Sequence, residues 1–237
     1  MVLRYFDCRS RGQALRFTLA DSGVSFEDRR TPIEELTSFR ERATAGEIGG
    51  PFASLPLLEW QGNTIAQTLA IAGYLSDELK LGGHSPDPGE RAFRGMVSSA
   101  AHLDMQIPFS RLLWMPEDCS GEKLRSRAQL LLAHLVRKTE QMEALLSGVG
   151  RTPFFGGSEP DVPDYFLYES VSRSCAVFGE AYSRQLARLD RVARLTAAME
   201  ARPRLRAWIA GGRVPFRVTA SPSEPVLRRR LLEEGEP

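Results

Sequence analysis

Residues 54–75, SLPLLEWQGNTIAQTLAIAGYL, limit what this chain can fold into more than any other stretch. The apolar residues Leu55, Leu57 and Leu58 are interrupted by Pro56 and end in Glu59-Trp60. Gln61-Gly62-Asn63 is turn chemistry, and Thr64-Ile65-Ala66 answers the first run. Two short strands about a glycine-centred turn predict a hairpin. From Gln67-Thr68 onward, Leu69, Ile71, Ala72 and Leu75 follow the helical period, which predicts a helix. Thr68 suits its cap or first turn, because a hydroxyl can accept from the orphan amides there. Pro56 cannot donate to a sheet ladder, so it stands at a strand start, a bulge or an edge. Two readings stay open. One is an edge proline before an ordinary capped helix. The other is a cis Leu55-Pro56 bond that presents the backbone of Leu55 to a ligand, beside helix-start amides that attract a carboxylate.

Elsewhere the pattern changes character once. Residues 2–6 carry strand-forming types, residues 7–10 form a polar loop, and residues 11–22 show a helical stripe (Ala14, Leu15, Leu19, Ala20) stopped by Gly23. Residues 24–28 alternate as a second strand, and residues 33–42 read as a short helix. The order β-α-β-(α)-β-β-α is a thioredoxin-like α/β layout over residues 1–80. LGGHSPDPG, residues 81–89, is a linker. An all-α part then covers residues 90–217. It has one helix over 91–114, kinked at Pro108, and a long amphipathic helix over 122–146. A capped start at Asp161-Val162-Pro163-Asp164 follows, then helices over 184–199 and 203–211. Residues 218–237 mix Pro, Ser, Arg and Glu and read as a loose tail.

Composition narrows the function classes. Across 237 residues, 31 basic side chains face 30 acidic ones, so nothing argues for a polyanionic partner and no nucleic acid is expected. No apolar run approaches the roughly 20 residues of a membrane span, and residues 1–10 hold no signal-peptide core. Cys8, Cys119 and Cys175 are few and scattered, which fits a reducing compartment, and a cytoplasmic location is expected. His84, His102 and His134 share no metal-ligand spacing, so no metal is expected. There is no phosphate loop, no GxGxxG and no paired-carboxylate site.

Leu55-Pro56, the hairpin, Gln67-Thr68 and the following LAIAGYL resemble the glutathione-binding half of the cytosolic glutathione transferase superfamily. There a cis-proline precedes a hairpin and a Gln/Glu-Ser/Thr pair starts the next helix. Tyr5-Phe6-Asp7-Cys8-Arg9-Ser10-Arg11 is similar to the Tyr-Phe-x-x-Arg-Gly-Arg pattern of the tyrosine-type classes, with Ser10 in place of the usual glycine. The run from Pro203 to Ile209, PRLRAWI, looks like the family's carboxy-terminal signature, and Asp161 stands where the family has Ser or Thr. The resemblance is to sigma-like members. It implies a glutathione transferase fold, a homodimer, and conjugation of glutathione to small hydrophobic electrophiles.

A free thiol titrates at about 8.5 and reacts as its anion, so such a site must favour the thiolate. The resemblance assigns that task to Tyr5, supported by Arg11. It gives the γ-glutamyl carboxylate to Gln67 and Thr68, and the cysteinyl amide to the backbone of Leu55 ahead of Pro56. Phe39, Arg40 and Arg42 stand where the glycyl carboxylate is held, with Arg42 as the candidate cation. Asp104 stands near the position that reaches across a dimer. Phe6, Ile107 and Trp114 would flank the apolar cosubstrate. Ser10 is a rival hydroxyl, and Cys8 a rival thiol for glutaredoxin-like exchange, although no Cys-x-x-Cys is present. A glutathione-dependent isomerase or peroxidase, or a non-catalytic binding or structural member of the family, is the alternative reading.

Overall fold

In the computed structural model, residues 1–83, 87–150 and 152–233 are described. His84, the centre of the expected linker, Arg151 and residues 234–237 of the expected tail lie outside them.

Strand β1 (Val2–Phe6) is central, parallel to β2 (Glu27–Thr31) and antiparallel to β3 (Leu57–Trp60), with β4 (Asn63–Ala66) at the far edge. The hairpin forms as its turn residues dictate, with Trp60 opposite Asn63, and the Leu55-Pro56 bond is cis. Helices α1 (Gln13–Ser22) and α3 (Thr68–Glu78) bury Leu15, Leu19, Ile71 and Leu75 against Leu3 and Leu58 of the sheet. Gly23 ends α1 at φ +77, the left-handed conformation glycine adopts without penalty. Helix α2 (Leu36–Thr44) follows a 3-10 turn at Ile33–Glu35.

Two expectations in this half are corrected. The second strand lies at Glu27–Thr31, not 24–28. Register with β1 selects the charged run, whose Asp28 bonds Arg16 and Arg30, while Phe26 stacks on Trp208 at 5.5 Å. Thr68 opens the first turn of α3, as one of its two readings had it, but it neither caps the helix nor accepts from its amides. Gln67 holds the cap position, with no side-chain cap bond, and the buried Thr68 hydroxyl donates to the Arg11 carbonyl at 3.5 Å.

The rest is helical. Helix α4 (Pro88–Ser99) is capped by Asp87 and runs into a π-helical stretch, Ala100–Gln106; Pro108 then starts α5 (Phe109–Leu113), so the single helix expected over 91–114 is three pieces. Helix α6 (Gly121–Gly148) buries Leu124, Ala128, Leu131, Leu135, Met142 and Leu146, the stripe its sequence carries. Helix α7 (Val162–Leu186) opens with the capping box of Asp161 and Asp164. Gly179, at φ +53, breaks it before the last turns run to Leu186, and α8 (Asp190–Ala201) starts separately, so no helix bridges 184–199. Helix α9 (Pro203–Ala210) follows.

Residues 218–233 are not a loose tail. Val218 is fully buried, and α10 (Glu224–Glu233) packs Leu227 and Leu231 against α5 and α6. Two leucines four apart form a buried stripe that average composition hides.

The two halves dock along α1 and α7. The Tyr165 hydroxyl donates to Asp21 at 2.7 Å, and Arg202 also pairs with Asp21. Deeper in, Glu169 receives both Arg9 (2.8 Å) and Arg173 (2.7 Å), all three side chains being buried.

Candidate functional site

Between the C-terminal end of β1, the start of α2 and helix α5 lies a cleft of about 560 Å³. The edge of β1 supplies Tyr5 and Phe6, and the loop after it supplies Ser10 and Arg11. Phe39 and Arg40 come from α2, Ser54 and Leu55 from the segment before β3, and Ile107, Arg111 and Trp114 from around α5. Its charged lining residues are Arg11, Arg40 and Arg111, and no carboxylate is among the described lining residues. Such a field favours an anionic ligand.

Tyr5 ends a buried strand and is 4% exposed. Its hydroxyl oxygen accepts the Arg11 backbone N–H at 3.1 Å, which leaves the phenolic proton free for an acceptor in the cleft. Burial, reinforced by nearby Cys8, pushes the phenol up to about 12, while Ser10 and the Arg11 amide pull the other way. The group is therefore a neutral donor at any physiological pH. Gly12 belongs to the same arrangement, because a Cβ there would collide with the Tyr5 ring. Phe6 meets Tyr5 edge-on at 5.8 Å and Phe39 at 5.2 Å, forming an apolar wall. Across the opening, Trp114 is 40% exposed beneath the Arg40 guanidinium, 5.4 Å from its ring centre.

Of the residues singled out by sequence, Tyr5, Phe6, Arg11, Phe39, Leu55, Ile107 and Trp114 share this cleft. Pro56, Gln67 and Thr68 adjoin it without lining it; Thr68 touches the Arg11 carbonyl, and exposed Gln67 enters α3 at φ +71. Arg42 is turned away, bonded to Glu47 at 3.1 Å, and Arg40 is the α2 cation that faces the cleft. Asp104 lies outside it, paired with Lys138 at 2.9 Å. Cys8 is fully buried and its thiol is raised to about 12 by burial, which removes the nucleophile a thiol-exchange site needs. His102 bonds Gln106 and His134 the Asp104 carbonyl; among the described residues no His, Cys, Asp or Glu group could hold a metal.

Sequence reasoning named Arg40 but preferred Arg42, and it missed Ser54, Gly12 and the pair Thr219-Ala220, which reaches the cleft from the C-terminal segment. The glycine beside an Arg-x-Arg turn was a readable signal. The C-terminal pair had none, since only tertiary structure brings it there.

A family model for the glutathione S-transferase N-terminal domain matches residues 1–77, and one for the C-terminal domain matches residues 103–212. Glutathione S-transferase 1 of Ascaris suum is 37% identical over 84 residues, 35% of this chain and 37% of that protein. The chain thus aligns with little more than a third of that relative. Hematopoietic prostaglandin D synthase of Gallus gallus is 28% identical over 211 residues, 87% of this chain and 94% of that one. Among solved structures, a Pi-class glutathione S-transferase of Onchocerca volvulus superposes with a TM-score of 0.72 at 20% identity, covering 91% of this chain and 96% of the other.

Proposed function

The chain belongs to the cytosolic glutathione S-transferase superfamily, and from that membership we propose that it conjugates reduced glutathione to small hydrophobic electrophiles. The observation that carries the reading is Tyr5, a protonated hydroxyl held by the Arg11 amide on the wall of an arginine-lined cleft. A hydrogen bond to a charged group contributes about 1.5–3 kcal/mol. That lowers a thiol titrating near 8.5 by about 1–2 units, enough to make thiolate the main species near neutrality. Tyr5 donates to the sulfur, the thiolate attacks the electrophile, and the leaving group departs with the electron pair of the broken bond.

In this reading residues 1–80 hold glutathione. Gln67 and Thr68 take the γ-glutamyl carboxylate at the α3 N-terminus, and the Leu55 backbone takes the cysteinyl amide. Arg40 takes the glycyl carboxylate in place of Arg42. Residues 90–217 supply the apolar side of the cleft, with Phe6, Ile107 and Trp114 against the electrophile. A homodimer in the cytoplasm fits the family, with Asp104 offered to the partner subunit. An isomerase could use the same thiolate and is not favoured over transfer.

The test is titration of glutathione into wild type and Tyr5→Phe, following thiolate absorbance and conjugation of an aryl halide. Wild type should bind, ionise and conjugate, while the mutant binds yet reacts about 10–100-fold more slowly, the kinetic equivalent of that one hydrogen bond. A wild type that does not bind glutathione refutes the assignment. Arg40→Ala should raise KM for glutathione several-fold, and Arg42→Ala should leave it unchanged. The reverse order would return the glycyl site to Arg42.

A further inference from the structure

Ser10 stands where the family pattern has glycine, and its φ is +24, a region serine rarely occupies. Both of its backbone polar groups are held by segments distant in sequence. Its N–H donates to the Val218 carbonyl at 2.9 Å, and its carbonyl accepts from the Arg173 guanidinium. Each holder is itself fixed. Arg173 is 1% exposed, shares Glu169 with Arg9, and its other arm bonds the Gln106 carbonyl at 3.4 Å. Val218 is held by buried Glu224, which accepts the amides of Val218 (3.0 Å) and Thr219 (3.2 Å). That segment follows the last residue, 212, matched by the family's C-terminal model. The residue after Ser10 is Arg11, whose amide donates to the Tyr5 hydroxyl.

We propose that Arg173 and the Glu224-anchored segment form a two-sided clamp that keeps Ser10 at positive φ, so that the Arg11 amide stays on Tyr5. Arg173 and Glu224 are positioning residues for the thiolate site, and the inference rests on the transferase reading above. Glycine visits positive φ as readily as negative, so a glycine at this position needs no such clamp. Serine without the clamp relaxes to negative φ and turns the Arg11 amide off the hydroxyl oxygen, and Tyr5 then donates from a less fixed orientation.

The experiment is a double-mutant cycle read on the thiol pKa of bound glutathione, by thiolate absorbance against pH, and on kcat/KM for an aryl halide. Arg173→Met leaves the Arg9–Glu169 pair in place. It should raise the thiol pKa by about half a unit to one unit and lower kcat/KM about 3–10-fold below that pKa. Ser10→Gly also removes the serine hydroxyl beside Tyr5, so it serves as the reference of the cycle, and adding Arg173→Met to it should shift the thiol pKa and kcat/KM far less than Arg173→Met does in wild type. Glu224→Gln, tested with and without Ser10→Gly, probes the other jaw and keeps the test open if Arg173→Met fails to fold. The proposal is overturned if Arg173→Met and Glu224→Gln keep the wild-type thiol pKa, or if they cost as much in the Ser10→Gly background as in wild type, since a lost charge or a general loosening would not be mended by one glycine. Wild type that neither binds nor ionises glutathione overturns the transferase reading, and this one with it. Wild type that does both while the cycle fails overturns the clamp alone.

Discussion

A tyrosine hydroxyl can serve an anion as donor only while it keeps its proton. Tyr5 is held near 12 by burial, whereas a free thiol titrates at about 8.5, so the two ionisations are well separated. Because the folded pKa is raised, the active neutral form of Tyr5 persists from low pH upward and is lost only as pH passes through about 12. The dependence of kcat/KM on pH should therefore show a single rising limb, set by the thiol, and then a plateau. In Tyr5→Phe that limb should move up by about 1–2 units, the worth of one charge-assisted hydrogen bond. A rate profile that falls again below pH 10 would point to a different essential acid. At this same scale the sequence pointed to Arg42, and the cleft takes Arg40 instead. Two positions along a helix differ by about 200° in direction, so one of them must leave the cleft. Arg42 leaves and pairs on the surface with Glu47, and a partner across a loop has no periodic signature.

At the scale of elements, legibility follows locality. The hairpin at 57–66, the stripe of α6 and the capping box of α7 rest on contacts within a few residues, and each stands where its residues indicate. Strand β2 does not, because its position is a register against β1, and Phe26 stacks on Trp208 of the helical half instead. Helix α10 is the stronger case. Its surface is rich in arginine, and its buried face consists of Glu224, Leu227 and Leu231, a stripe that means little until α5 and α6 are there to receive it. Leu227 is fully buried, and Leu227→Ala should cost about 2–5 kcal/mol. For a chain of this size that lowers Tm by on the order of 10 °C. A thermal melt within a degree or two of wild type would mean that α10 adds nothing to the cooperative fold.

The two halves meet through charge as well as through apolar packing, and the arithmetic at that contact is unusual. Two buried guanidiniums, Arg9 and Arg173, share one buried carboxylate, Glu169, which lies 160 positions from Arg9 in the chain. Nothing near either residue in sequence marks the pairing. It exists because the loop after β1 and the middle of α7 are pressed together by the packing of α1 on α7. Removing one member of a buried pair strands its partner without water, at about 3–5 kcal/mol, whereas an exposed pair contributes about 0–1 kcal/mol. Glu27 and Arg29, 2.7 Å apart on the surface of β2, supply the internal control. In urea unfolding, Glu169→Gln should lose several kcal/mol, and Glu27→Gln should be nearly silent. The loss at Glu169 should also appear as one shifted transition and not two, because the carboxylate bridges both halves and its removal weakens the joint itself. Equal small losses at the two sites would mean that water or relaxation supplies the missing counter-charge, and that apolar packing alone holds the halves together.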